Sequence, residues 1–305
     1  MYLLMKKKMS ILLMAFMAIT LVLAGCSSNK NNAGNGETST ANKNKKITLA
    51  YVAWDSEIAS TNVVKEVLES KLDYKVEMLQ VDAGPMYVGV ADGSADAMVS
   101  AWLPSTHGEN YYEPNKDKLE DLGVNLKGTK LGLVVPTYMD IKSIEDLKKE
   151  EVGKLVDYTI TGIEPGAGLM TQTEKAVKEY DLKKWNLLES SSAAMVKVLQ
   201  DAYAKKEPIV ITGWTPHWMF ADLELKYLED PKKVYGESEE IHTLVRLGLK
   251  EDQPTAYRLL DQFEWTPADM ESVMVDISGG MSEQEAAKKW IETNEAKVNE
   301  WIAGI

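Results

Sequence analysis

Two stretches of this chain run through the same alternation of short apolar and amphipathic segments. Each ends on a tryptophan with a proline two residues later. In the first, residues 47–53 read as a mostly buried strand, and residues 61–72 carry Val63, Val64, Val67 and Leu68 at helical spacing. Residues 74–81 alternate like a strand, residues 86–91 form a short helix before Gly93, and residues 97–101 are a second buried strand. The second stretch repeats the order: strand 158–161, helix 169–180, strand 185–188, helix 193–204, strand 208–212. The exits match in detail, Val99-Ser100-Ala101-Trp102-Leu103-Pro104 against Ile211-Thr212-Gly213-Trp214-Thr215-Pro216. Strands that alternate with helices imply parallel pairing and an α/β class. Two such units in tandem imply two lobes, each a sheet flanked by helices.

The rest of the chain fits around these units. Residues 130–136 read as a strand leaving lobe one, and 141–149 as an amphipathic connector. Residues 241–248 are the candidate return. Beyond them the pattern is helical, with Thr266-Pro267-Ala268-Asp269 and Ser282-Glu283-Gln284-Glu285 as helix starts before a helix over 286–302. The expected divisions are 47–132 for the first part of lobe one, 133–245 for lobe two, and 246–305 for the return to lobe one with the C-terminal helices.

Residues 1–25 have the make-up of an address. Lys6, Lys7 and Lys8 precede an almost wholly apolar run, 9–23, too short to span a bilayer but suited to a signal peptide. Leu23-Ala24-Gly25-Cys26 follows, and Cys26 is the chain's one cysteine, placed where a bacterial lipoprotein box needs it. Cleavage before Cys26 and lipid on its sulfur would hold the protein at the outer face of the cell membrane. Residues 26–46 then form the lipidated cysteine and a polar tether that cannot bury enough surface to order itself.

The net charge of -13 grows more negative once the leader lysines are removed, which disfavours a nucleic-acid partner. A single cysteine excludes an internal disulfide and a cysteine zinc site, and three histidines leave little for a metal; no metal or cofactor is expected.

Ligands of open α/β sheets sit beyond the carboxyl ends of the strands. Trp54, Trp102 and Trp214, three of eight tryptophans, fall there, whereas Trp185, Trp218, Trp265, Trp290 and Trp301 read as packing residues. Indole faces are negative, and a quaternary ammonium has a diffuse charge and no hydrogen to donate, so such rings suit it at about 0.5–2 kcal/mol per contact. A sugar or a flat aromatic ligand is also compatible with these residues. Gly162-Ile163-Glu164-Pro165-Gly166 opens a helix whose free N–H groups would attract a carboxylate, and His107 is a candidate further donor.

Tyr51 to Asn62, Ser100 to Pro104, Gly162 to Gly168 and Gly213 to Phe220 together resemble the glycine betaine-binding proteins of ABC importers, the OpuAC/ProX type. The likeness extends over nearly the whole chain after the tether. It implies a periplasmic-binding-protein-like fold with the ligand cleft between lobes that close like a hinge. It also implies a three-tryptophan prism at Trp54, Trp102 and Trp214 around the trimethylammonium group, with the carboxylate on the Gly162 and Ile163 N–H groups and His107. The expected ligand is glycine betaine, with proline betaine and carnitine as relatives, and the expected partners are a permease and, through it, an ATPase. The alternative is an enzyme or sensory lipoprotein on the same scaffold acting on a choline-like compound. A cysteine-dependent transferase would need its cysteine in the cleft, and the sequence holds no HExxH or phosphate loop.

Overall fold

The computed structural model describes residues 45–305. The expected leader, Cys26 and the tether up to residue 44 lie outside the described residues. The first unit is β1 (Lys46–Tyr51), α1 (Asp55–Leu72), β2 (Lys75–Gln80), α2 (Ala83–Asp92) and β3 (Ala97–Leu103). A long strand, β4 (Leu119–Pro136), and a short helix, α3 (Glu150–Leu155), lead to the second unit. This is β5 (Thr159–Thr161), α4 (Gly168–Glu179), β6 (Asn186–Leu188), α5 (Ser192–Lys205) and β7 (Ile211–Thr215). Then come α6 (Met219–Asp222), β8 (Leu225–Tyr227), β9 (Glu239–Arg246), α7 (Leu249–Asp252), α8 (Pro254–Gln262), α9 (Pro267–Ser278), α10 (Glu283–Thr293) and α11 (Glu295–Trp301).

The strand order is β2-β1-β3-β9-β4-β7-β5-β6, with β8 on β4. Each unit therefore has the same local order: its first strand lies between the other two, paired in parallel to both. Each third strand then abuts a connecting strand antiparallel, β3 against β9 and β7 against β4. The repeat seen in the sequence is thus a repeat of architecture. One strand serves both halves. β4 pairs with β9 from Leu119 to Thr129, and with β7 from Lys130 to Val134.

Local chemistry accounts for several helix ends. Asp55 and Glu57 fall in the first turn of α1, where carboxylates meet the positive end of the helix. The chain leaves α1 through Asp73 in the left-handed region. Thr266 and Ser282 form the expected capping boxes with Asp269 and Glu285. The two helices they start pack on α1, on the first half of the molecule.

Several sequence expectations change, among them the start of α1 at Asp55 rather than 61 and the end of β3 at Leu103 rather than 101. β4 is far longer than residues 130–136, because its pairing with β9 shifts register three times, which hides the two-residue period. Residues 208–210 precede β7, which instead runs through Trp214, paired with Leu131. The helix expected over 286–302 breaks at Asn294, which lies outside helical ψ and donates from its side chain to the Trp290 carbonyl at 2.8 Å.

Candidate functional site

The carboxyl ends of β1, β3, β5 and β7 converge where the two halves meet. There Trp54, Ser56, Trp102, Thr106, His107, Leu131, Ile163, Ala167, Gly168, Leu169 and Trp214 line one cavity. Trp54 follows β1, whereas Trp102 and Trp214 stand within the last residues of β3 and β7. All three are nearly buried, at 7, 3 and 4 % exposed. They bound one space from both halves.

Their ring edges point elsewhere. The Trp54 Nε1–H donates to Glu164 Oε2 at 3.1 Å, and the Trp214 Nε1–H to Ser56 Oγ at 3.2 Å. Both bonds cross between the halves. The Trp102 Nε1–H stays in its own half and donates to Glu57 Oε1 at 2.8 Å. With every indole N–H satisfied on its outer edge, what remains for the cavity is apolar, π-rich surface.

A second set of crossing bonds converges on Asp55. Its Oδ1 accepts from Trp218 Nε1 at 2.8 Å, and its Oδ2 from Ser192 Oγ at 3.1 Å. His217 Nδ1 accepts from the Met219 N–H at 3.1 Å, which leaves the proton on Nε2, 3.5 Å from Asp55 Oδ2. Burial pushes the Asp55 carboxyl up, but His217, Trp218 and Ser192 together outweigh it and hold the group below its ordinary value. Glu164 is tied in as well, its Oε1 accepting from the Ser192 backbone N–H at 2.9 Å. Tyr111 adds a bond from its hydroxyl to the Gly166 carbonyl.

His107 is wholly buried, and burial lowers its imidazole to about 3, so the ring is neutral. Its Nδ1 accepts from the Trp102 N–H at 3.2 Å, which places the proton on Nε2. That N–H has no partner among the described residues, although the ring lines the cavity. A buried donor left unsatisfied costs about 1–3 kcal/mol, which a ligand acceptor would recover. The loop carrying His107 is clamped by Glu239 of β9, whose carboxylate accepts from the Ser105 and Thr106 N–H groups and the Thr106 hydroxyl.

The expected anion segment is only partly at the cavity. Ile163 lines it, and its N–H meets the Met170 sulfur, a weak acceptor, at 3.3 Å. Gly162 does not line it, and its N–H is spent on the Leu188 carbonyl at 2.9 Å. A side chain on Gly162 would overlap the Met170 thioether, so this glycine makes room for the sulfur behind Ile163.

A family model described as the substrate binding domain of ABC-type glycine betaine transport systems, OpuAC, matches residues 45–293. The chain belongs to the OpuAC family. Over 159 residues, 52% of the chain, it is 54% identical to the glycine betaine/carnitine transport binding protein GbuC of Listeria monocytogenes serotype 1/2a (strain 10403S); the match spans 53% of that relative, about half its length. The fold superposes on lactococcal OpuAC, crystallised closed with glycine betaine, with a TM-score of 0.80 and 48% identity, over 85% of this chain and 100% of that one. It superposes equally well, at a TM-score of 0.80 and 37% identity, on the glycine/betaine/L-proline-binding protein ProX of Borrelia burgdorferi, over 85% of this chain and 97% of that one. These relatives are two-lobed substrate-binding proteins, so the two halves described above are the lobes of that fold.

Several residues of this OpuAC-family site escape a reading by sequence. Trp218 looked like packing, yet its N–H reaches across the cleft to Asp55. Asp55 and Glu57 lie before the helix expected from residue 61 and Ser192 before the one expected from 193, and the sequence assigns none of them a role. Nothing in a single sequence says which first-turn acids face a second lobe. The one available signal was adjacency, since Asp55, Ser56 and Glu57 directly follow Trp54.

Proposed function

We propose that this chain receives glycine betaine, or a closely related quaternary-ammonium zwitterion such as proline betaine or carnitine, for an ABC importer and releases it unchanged. Trp54, Trp102 and Trp214 surround the trimethylammonium group. Each contact of this kind is worth about 0.5–2 kcal/mol, toward the upper end in a dry site. The carboxylate takes the Ile163 N–H, displacing the Met170 sulfur, and the Nε2–H of His107. The start of α4 beside it, at Gly168, presents the positive end of a helix. Gly162 serves by its lack of a side chain.

The observation that carries this reading is the orphan Nε2–H of His107 in a cavity that three indoles also line. A cavity with a π-rich wall and one unmatched neutral donor suits a ligand with a soft cation at one end and an acceptor at the other. Residues 47–132 and 246–305 then form one lobe and 133–245 the other, and they close over the ligand. Cleavage before Cys26 with lipid on its sulfur tethers the protein to the outer face of the cell membrane, where the closed form is presented to a permease driven by an ATPase.

Titration calorimetry with glycine betaine, proline betaine, carnitine and choline tests the reading. Glycine betaine should bind and quench or shift tryptophan fluorescence, choline should bind more weakly for want of a carboxylate, and Trp102→Ala should lose about tenfold or more. Absence of heat with every betaine at millimolar concentration overturns it.

A further inference from the structure

Glu57 is a carboxylic acid in an unusual setting. It is wholly buried in the first turn of α1. One oxygen, Oε1, accepts from the Trp102 indole at 2.8 Å and lies 3.5 Å from the Ser56 hydroxyl. The other, Oε2, has no hydrogen-bond partner among the described residues. No cation among the described residues contributes to its ionisation. Buried carboxylates are rare and are ordinarily paired with a positive charge, because an isolated one loses its hydration without compensation. Here the residue it holds, Trp102, is a wall of the cavity, and Ser56, its neighbour in sequence, is another.

We propose that Glu57 is the counter-charge of the site: the cationic end of the ligand, seated on the far side of Trp102, is the missing partner of this carboxylate, so that binding a quaternary ammonium and ionising Glu57 are one linked event. The proposal rests on the cavity being the ligand site described above. Two physical effects act in the same direction. A full negative charge one indole away attracts the ligand cation through a low-dielectric interior, on the order of tenfold or more in affinity at an effective dielectric near 20. A carboxylate accepting the indole N–H also pushes electron density into the ring and makes its face more negative toward the cation.

In the free protein burial pushes the Glu57 carboxyl up to about 7, against the pull of Trp102, Ser100 and Ser56. The group is therefore partly protonated near neutral pH, and a cation beside Trp102 lowers its pKa and expels the proton. Binding should release part of a proton around pH 7, and affinity should rise as pH rises from about 6 to 8. The other groups around it do not produce this signature. Tyr87 of α2 is raised well above its ordinary value by burial and by Glu57 itself, and His107, after β3, is neutral throughout the window. Asp121 of β4 is lowered, with burial outweighed by His242 and the Gly123 N–H, so it stays charged. Glu239 of β9 is committed to the 105–106 loop, and Gln284 of α10 donates to Glu66.

The test needs the intact wild-type protein first. Titration of glycine betaine at pH 7 in buffers of different ionisation enthalpy should give heats that reveal a fraction of a proton released per ligand. Glu57→Gln, which keeps an acceptor for Trp102, should bind about tenfold more weakly at pH 8, with no proton release and a flat pH profile. The isostere 3,3-dimethylbutanoate, an anion with uncharged carbon in place of the nitrogen, should lose no affinity in Glu57→Gln. Buffer-independent heats in the wild type, or equal loss of betaine and isostere in the variant, overturn the counter-charge and leave Glu57 an anchor for Trp102. A wild type that binds no betaine at all sinks the site reading itself, a result distinct from betaine binding without proton linkage.

Discussion

Asp55→Ala isolates the contribution of lobe closure to affinity. Asp55 accepts from Trp218 at 2.8 Å and from Ser192 at 3.1 Å, with His217 Nε2 near at 3.5 Å, and all three residues belong to the second half. Hydrogen bonds to a charged group are worth about 1.5–3 kcal/mol when buried. The Asp55 side chain is 29% exposed, so solvent screening brings each to about 1 kcal/mol. The two formed bonds then contribute about 2 kcal/mol to the closed state and nothing to the open one, where Asp55 is hydrated. On the proposed reading, with the ligand held by both lobes, that difference passes directly into its dissociation constant, a rise of about thirtyfold. Trp218→Phe, which keeps the ring and loses one donor, should raise it about fivefold. Calorimetry with glycine betaine gives the affinities, small-angle scattering with and without ligand reports closure, and thermal melts of the ligand-free proteins report folding. Equal affinity in Asp55→Ala and wild type would refute the reasoning, as would a loss of affinity matched by a lower ligand-free melting temperature.

Two further predictions follow from single observations. A side chain on Gly168 would overlap the Thr106 carbonyl of the opposite lobe, so Gly168→Ala should weaken betaine binding at least tenfold by calorimetry while leaving the ligand-free melting temperature unchanged. His107, lowered to about 3 by burial from an ordinary 6.5, makes stability rise with pH across that interval, and Glu57, raised to about 7 by burial from 4.5, makes it fall with pH between those values; denaturant unfolding of His107→Gln between pH 4.5 and 6.5 should therefore show stability falling as pH rises relative to wild type, and Glu57→Gln the reverse.

The repeat and the positions of the tryptophans were legible because they depend on local periodicity and on where strands end. The βαβαβ order of both units is present as read, and Trp54, Trp102, Trp214, His107 and Ile163 all reach one cavity. What was not legible depends on long-range register. The bulged pairing of β4 with β9 destroys the alternation that would reveal a strand. The fate of the Gly162 N–H depends on the Leu188 carbonyl of β6, and that of Trp218 on an acid 163 residues away. A lone sequence carries no trace of such pairings. It does carry their raw material, since a serine between two acids directly after a cage tryptophan is a dense cluster of acceptors.

Those acceptors explain how recognition and closure can use the same side chains. An indole offers one donor, on its edge, and a negative surface on its face. Trp54 and Trp214 line the cavity and give their N–H edges to acceptors of the opposite lobe, Glu164 and Ser56. When the lobes part, those N–H groups return to water, so each crossing bond contributes only about 1 kcal/mol net. Ties of that size leave open and closed forms within a few kcal/mol of each other. A ligand must then supply the remainder by its preference for the closed form, and a shift from about 1% to 99% closed asks for roughly 5.5 kcal/mol. Three cation–π contacts and the satisfaction of one orphan histidine donor are together of that order. A cage whose edges were sealed within one lobe would bind the cation without being able to report it. On the proposed reading, two of the cage's three edges turn across the cleft, so the cage is complete only when the lobes meet and a molecule that fills it is also the one that shuts it.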